Sequence, residues 1–290
     1  MADIEITDEV SVTDLAPLRG PSAPLRVLEV DGETSRRRRD RLATEEPLEI
    51  RASGPGQPTV RVAVTMRTPG HDFELAAGFL YTEGLIAARH AFSQIRYCTD
   101  VGVEQHLNVV TVDMREHFDA SHMQRNFFAS SSCGVCGKAS IDQLAVACTP
   151  IALGLTVTRQ TIVSLPARLR AEQRVFESTG GLHATGLFRQ DGEPIVVRED
   201  VGRHNAMDKL VGSQLLTGEL PLSSSIALVS GRASFELVQK AAVAGIPVMC
   251  AVSAPSTLAV ETARRLGVTL IGFLRGERFN VYSHPERIEL

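Results

Sequence analysis

The sequence predicts a mixed α/β protein, α+β overall, with a small N-terminal α+β domain and a larger C-terminal α/β domain. Three observations predict it. Apolar residues alternate over 48–51 and 60–64, and then switch to helical spacing over 73–80. A loop of small residues around Cys133 and Cys136 opens the second unit. Roughly the last hundred residues alternate strand, helix, strand, helix, strand, which implies parallel pairing in a sheet covered by helices.

Residues 1–23 carry Asp, Glu, Ser, Thr and Pro with little periodic apolar content, the composition of a disordered leader. Arg36 to Arg39 form an unbroken run with Arg41 close behind. Such a run is either an anion or partner patch or a solvated loop or strand face. The small domain spans 24–128. In it Leu48-Glu49-Ile50-Arg51 and Val60-Arg61-Val62-Ala63-Val64 have the alternation of half-buried strands, joined through the Gly54-Pro55-Gly56 turn. Thr68-Pro69-Gly70 breaks the chain. Phe73, Leu75, Ala76, Phe79 and Leu80 then fall on one helix face, and a further strand runs from Leu107 to Val112.

The second domain spans 129–290. Helical spacing appears over Lys138–Cys148 and Arg159–Phe176. Ala184–Phe188 and Pro194–Arg198 form a hairpin around Asp191-Gly192. Helices over 202–216, 234–244 and 257–266 then alternate with strands over 226–229, 248–252 and 268–274. Gly245 and Gly267 stand where helix C-terminal stops belong.

Composition narrows the function. With 43% hydrophobic and 22% charged residues the chain is ordinary globular protein. A net charge of −4 lacks the basic footprint of a bulk nucleic-acid binder. No tryptophan and only 5% aromatics exclude a platform of stacked bases. No stretch approaches the roughly 18 uninterrupted apolar residues of a membrane helix, and the first twenty residues have no apolar signal core. A cytoplasmic location is expected. Five cysteines, an odd number, fit a reducing compartment.

Ser132-Cys133-Gly134-Val135-Cys136-Gly137 is the sharpest chemical feature. A Cys-x-x-Cys pair brings two sulfurs together, and a following helix N-terminus and Lys138 would favour the thiolate, the reactive form. Three readings fit the pair alone: a persulfide carrier, a redox dithiol, or half of a zinc site whose other ligands lie elsewhere. Cys148 and Cys250 sit in apolar runs and are expected in the core; Cys98 is undecided.

Three strand ends carry small, polar or basic residues: Ser230-Gly231-Arg232, Ser253-Ala254-Pro255-Ser256 and Phe273-Leu274-Arg275-Gly276-Glu277-Arg278. Open α/β sheets bind ligands at such an edge, where backbone N–H groups meet anions. Glu199-Asp200-Val201-Gly202-Arg203-His204-Asn205 is densely polar for a strand-to-helix junction. His204 is a general base or a helix-start residue, and His183 beside Gly180-Gly181 is similar; the structural role is the expectation for both.

Taken together, these motifs resemble the formate dehydrogenase accessory sulfurtransferases, the FdhD family. The likeness lies in the Cys133 loop, in Met66-Arg67-Thr68-Pro69-Gly70 with Glu74-Leu75-Ala76 and Gly78-Phe79-Leu80, and in Glu199 to Ala206. It continues from Ser230-Gly231-Arg232 through Ala251-Val252-Ser253-Ala254-Pro255 to Gly272-Phe273 and Asn280-Val281-Tyr282, and covers roughly residues 24–290. The resemblance implies a C-terminal three-layer α/β/α domain of cytidine-deaminase-like fold, and a homodimer. It implies a sulfurtransferase that accepts sulfur from a cysteine desulfurase as a persulfide on Cys133, with Cys136 its partner. The sulfur passes to the molybdenum cofactor, a bis-molybdopterin guanine dinucleotide, before insertion into formate dehydrogenase. Phe273, Leu274, Arg275, Gly276, Glu277 and Arg278 match the cofactor-binding stretch, and a guanine nucleotide should mimic the cofactor there. No bound metal, nucleic acid or membrane is implied.

Two other functions fit the motifs less well. A zinc deaminase wants His-x-Glu before Pro-Cys-x-x-Cys, but Ser132 precedes Cys133 and the His284-Pro285-Glu286 triplet follows it. A non-catalytic cofactor chaperone would have no need of the thiol pair.

Overall fold

The computed structural model describes residues 20–98, 107–118 and 148–290. The first two strands, β1 (Ser22–Asp31) and β2 (Thr34–Ala43), form a ten-residue antiparallel ribbon. The expected leader therefore gives way to strand at Ser22, and the arginine run lies in an exposed strand, alternating between its two faces. Glu29 pairs with Arg36 at 2.5 Å and Arg38 at 2.9 Å.

The alternation that follows builds a four-stranded sheet from β3 (Glu46–Ser53), β4 (Val60–Arg67), β5 (Phe92–Tyr97) and β6 (Val109–Met114), in the order β4-β3-β6-β5. Leu48, Ile50 and Ala52 of β3 point inward, where α1 (Asp72–Thr82) covers them with Leu75, Ala76 and Leu80.

The larger unit contains β7 (Val157–Thr158), α2 (Arg159–Glu172), α3 (Arg174–Thr179), β8 (His183–Phe188), β9 (Pro194–Asp200) and α4 (Arg203–Thr217). It continues with β10 (Ile226–Val229), α5 (Phe235–Val243), β11 (Val248–Ala251), α6 (Thr257–Leu266), β12 (Thr269–Arg275), β13 (Arg278–Ser283) and β14 (Ile288–Glu289). The single helix expected over 159–176 is two, because the Glu199 carboxylate accepts the Val175 and Phe176 N–H groups at 2.9 and 2.7 Å and starts a fresh helix. The expected helix over 138–148 lies outside the described residues, except for Cys148.

The main sheet runs β13-β12-β11-β10-β8-β9. Only β10, β11 and β12 are parallel; β8, β9 and β13 run antiparallel. The parallel expectation thus holds at the centre, and a hairpin extends each side, since a tight turn can join only antiparallel strands. On β10, Ala227 and Val229 face α4, α5 and α6, while Ile226 and Leu228 face α2, giving three layers.

The two units are packed as one body. α1 and α4 cross where both carry glycine: a Cβ on Gly78 would lie 1.8 Å from the Asp208 carbonyl oxygen, and one on Gly212 1.8 Å from that of Glu74. Around the crossing, buried Lys240 Nζ contacts Asp208 at 2.9 Å and Glu83 at 2.7 Å, and donates to Thr82 Oγ1 at 2.8 Å. Among the described residues no helix is long and apolar enough to cross a membrane.

Candidate functional site

The three polar strand ends do come together. They sit at the C-terminal edge of β10, β11 and β12, and the backbone links them in a row. Ser253 N–H donates to Gly231 O at 3.3 Å, and Phe273 N–H to Ser253 O at 3.1 Å. Ala233 N–H donates to Ala254 O, and Ser256 N–H to Ala233 O. Because β8 runs against β10, its first residue, His183, extends the row, and Asp200 lies opposite His183 on β9. Ser230 fastens this end, accepting the Ala184 N–H on Oγ at 2.9 Å. The start of α4, with Arg203 and His204, follows directly.

At the other end, Phe273 to Arg278 form the β12–β13 hairpin. Phe273 has φ 54°, in the left-handed region that bulky residues avoid. A bulge between Gly272 and Arg275 allows it. Gly272 is tightly enclosed: an added Cβ would lie 2.9 Å from Pro255 Cδ and 3.0 Å from the Tyr282 ring. The consequence is a phenyl ring that is 41% exposed at the edge. Leu274 is fully buried, whereas Arg275, Gly276, Glu277 and Arg278 are exposed. Arg275 Nε donates to Val252 O at 3.2 Å, tying its stem to the neighbouring strand end. The Glu277 carboxylate is held by Arg159 at 3.5 Å. Arg232 is exposed on the same edge.

Two motifs far apart in sequence, 66–70 and 199–206, prove to be halves of one buried network. Asp200 accepts from the backbone N–H groups of Thr68 (3.1 Å) and Gly202 (2.8 Å) and from Asn205 Nδ2 (3.1 Å), and pairs with Lys209 at 2.7 Å. Lys209 also donates to Thr68 O, and Asn205 to Met66 O. Arg67 is buried and forks onto Asp72 at 3.1 and 3.0 Å. The Asp200 part of the network fixes the N-terminus of α4 at the edge. His204 Nε2 lies 2.7 Å from Glu236 and 3.2 Å from Ser234 Oγ. The hydrogen bond from His204 is the main reason the Glu236 carboxyl lies below its usual range. Burial, with Arg203 and His204 nearby, pushes His183 below the ordinary imidazole value. Sequence reasoning gave both histidines a structural role. His204 is tied as expected, whereas His183 has no hydrogen bond to any described residue. The cue, visible only in retrospect, is that His183 stands where β8 begins opposite Gly231.

Cys133 and Cys136 lie outside the described residues. The described cysteines are core thiols. Cys250 is fully buried, and burial raises its thiol well above the usual range. Cys148 is half-buried, and its thiol is also raised by burial. Cys98 is buried and accepts weakly from Arg51 at 3.9 Å.

Residues 43–289 match the sequence profile of the FdhD/NarQ family. The chain belongs to that family. It is 52% identical over 267 residues to the sulfur carrier protein FdhD of Streptomyces coelicolor, covering 90% of this chain and 93% of that one. It is 47% identical over 253 residues to the FdhD of Thermoplasma volcanium, covering 86% and 89%. A crystal structure of a candidate formate dehydrogenase accessory protein from Desulfotalea psychrophila superposes with a TM-score of 0.71 at 26% identity, covering 92% of this chain and 99% of that one. The FdhD/NarQ match begins at the last residue of β2, so nearly the whole arginine-bearing ribbon precedes it. The strand-end row and the interlocked 66–70 and 199–206 motifs fall within it.

Proposed function

We propose that this FdhD-family chain is a cytoplasmic sulfur carrier, a sulfurtransferase serving formate dehydrogenase maturation. A cysteine desulfurase persulfide meets the Cys133 thiolate, which attacks the outer sulfur. The desulfurase leaves as a thiolate and Cys133 keeps the persulfide, so no external oxidant is needed. The outer sulfur is then passed to the molybdenum cofactor, bis-molybdopterin guanine dinucleotide, held as a substrate at the strand-end row before insertion into formate dehydrogenase; Cys133 leaves as the thiolate, and two electrons from the reduced metal of that substrate would bring the sulfur to the sulfide level.

The observation that carries this reading is the Phe273–Arg278 hairpin. A strained backbone presents an aromatic ring beside two exposed arginines at the end of the strand-end row. A guanine dinucleotide brings a flat base for the ring and phosphates for Arg275 and Arg278. The relatives' name, sulfur carrier protein, supports the carrier half.

Intact-mass spectrometry after incubation with a cysteine desulfurase and cysteine tests it. The expected result is a reducible gain of one sulfur, roughly 32 Da, that is lost in Cys133→Ala. If Cys133→Ala still supports full formate dehydrogenase activity, the chain is a chaperone that moves no sulfur.

A further inference from the structure

We propose that Arg203 and His183 form a second oxyanion subsite, for a phosphate or pyrophosphate group, at the β8–β9 end of the strand-end row. Only the identity of the natural ligand rests on the function proposed above; the subsite itself is argued from side chains that lack partners.

The Arg203 guanidinium makes no hydrogen bond and no ion pair with any described residue, and its Nε is buried without a partner. A buried donor left unpaired loses its hydration without recompense, so native structures leave few such groups unless something else meets them. The neighbouring buried or half-buried cations are all satisfied: Arg198 by Glu74, Lys209 by Asp200, Arg67 by Asp72 and Lys240 by Asp208. Arg203 is the exception in that set.

No carboxylate among the described residues hydrogen-bonds or ion-pairs with it. Asp200 is occupied by Lys209, Asn205 and two backbone N–H groups. Glu236 feels the Arg203 charge but spends its direct contacts on His204 and Ser234. The His183 ring is likewise unpartnered, and the side chain that Gly231 lacks leaves open the space beside it; a Cβ there would lie 3.4 Å from the ring. Two donors that repel each other's positive charge, with the local acids already used, present the complement of an anion. The fork of Arg203 suits a tetrahedral oxyanion, and Ser230-Gly231-Arg232 passes alongside.

The subsite cannot be the hairpin site seen from another angle. From β8 to β12 there are three strand spacings of about 4.8 Å, so roughly 14 Å separates His183 from Phe273. One phosphate cannot touch both, but a ligand with two anionic parts can.

The test uses inorganic pyrophosphate and the full chain, with the His183 ring signal followed by NMR as a function of pH and assigned with His183→Gln. In the free protein burial, Arg203 and His204 hold this imidazole low, while Asp200 opposes them. A bound anion adds negative charge, so pyrophosphate should raise the His183 pKa by about one unit. The shift should persist in Arg275→Ala/Arg278→Ala and vanish in Arg203→Met. Arg203→Lys, which keeps the charge and the stem, should retain part of it and so guards against misfolding of the Met variant. No shift in the wild type, or a full shift in a folded Arg203→Met, overturns the subsite. Loss of the shift in Arg275→Ala/Arg278→Ala alone also overturns it and places the anion on the hairpin. If the shift behaves as expected while GDP affinity is unchanged by Arg275→Ala/Arg278→Ala, the cofactor assignment fails and the subsite stands.

Discussion

Replacing Phe273 by alanine and, in parallel, by glycine separates what the backbone costs from what the ring contributes. At φ 54° a β-carbon crowds the following carbonyl, costing about 1–2 kcal/mol that glycine avoids. In an ordinary strand the preference is opposite, with glycine less stable than alanine by about 0.5–1 kcal/mol. Both variants lose the same ring, so their difference cancels the burial lost from a side chain that is 41% exposed. Phe273→Gly should therefore be more stable than Phe273→Ala by about 1 kcal/mol in urea unfolding. Both should bind GDP more weakly than wild type by about 1–3 kcal/mol, the worth of one base–aromatic stack, or roughly 5- to 150-fold in Kd. An alanine variant as stable as the glycine one would refute the strained-backbone argument. Undiminished GDP affinity in both would refute a stacking role for the ring.

Arg198→Met should destabilise the protein by about 1–2 kcal/mol near neutral pH, allowing for solvent screening of a partly exposed pair. Burial would raise the Glu74 carboxyl, but Arg198 and His71 outweigh it and hold it at about 2 rather than 4.5. That stabilisation is complete above pH 4.5 and is lost as pH falls towards 2, so the penalty of Arg198→Met should shrink over this window; a penalty independent of pH would contradict the pairing. Lys240→Met strands Asp208 and should cost about 3–5 kcal/mol, with partial recovery when Asp208→Asn is added; unfolding of the single and double variants measures it. Gly78→Ala puts a methyl 1.8 Å from a carbonyl oxygen and forces α1 away from α4. Its cost should lie at or above the upper end of the 1–3 kcal/mol typical of overpacking, and an unchanged melting temperature would mean that the helices are not in backbone contact.

Much of the larger unit was legible because its elements obey local rules. The strand at Ile226–Val229 and the helix at Thr257–Leu266 fall where apolar runs, periodicity and the stop at Gly267 put them. The ribbon was not legible: with both faces of β2 largely solvated and five arginines in it, the strand shows no apolar alternation. The break between α2 and α3 depends on Glu199, more than twenty residues downstream. Buried charges mislead most. Arg67, Lys209 and Lys240 look like surface residues, and Lys240 finds its acids, Asp208 and Glu83, only through long-range packing. At the candidate site, chain order placed Arg232, Ser253 and Phe273 after successive strands, which suffices to predict a shared edge. It could not show the left-handed Phe273, nor that Arg203 is left without an acid, because both are properties of the assembled backbone.

The β1–β2 ribbon also bears on how the protein behaves in bulk. Among the described residues neither outer edge pairs with a further strand, and Leu28 and Val30 are 61% and 67% exposed. Such an open edge ordinarily recruits a strand from another molecule. Here an approaching copy would bring a second set of guanidinium groups against the first, and mutual repulsion keeps the ribbons apart. That protection has the range of the Debye length, about 10 Å at 0.1 M salt and about 3 Å at 1 M. Concentrated salt would remove it, so the condition commonly chosen to keep a protein soluble is the one in which this chain is most prone to self-associate.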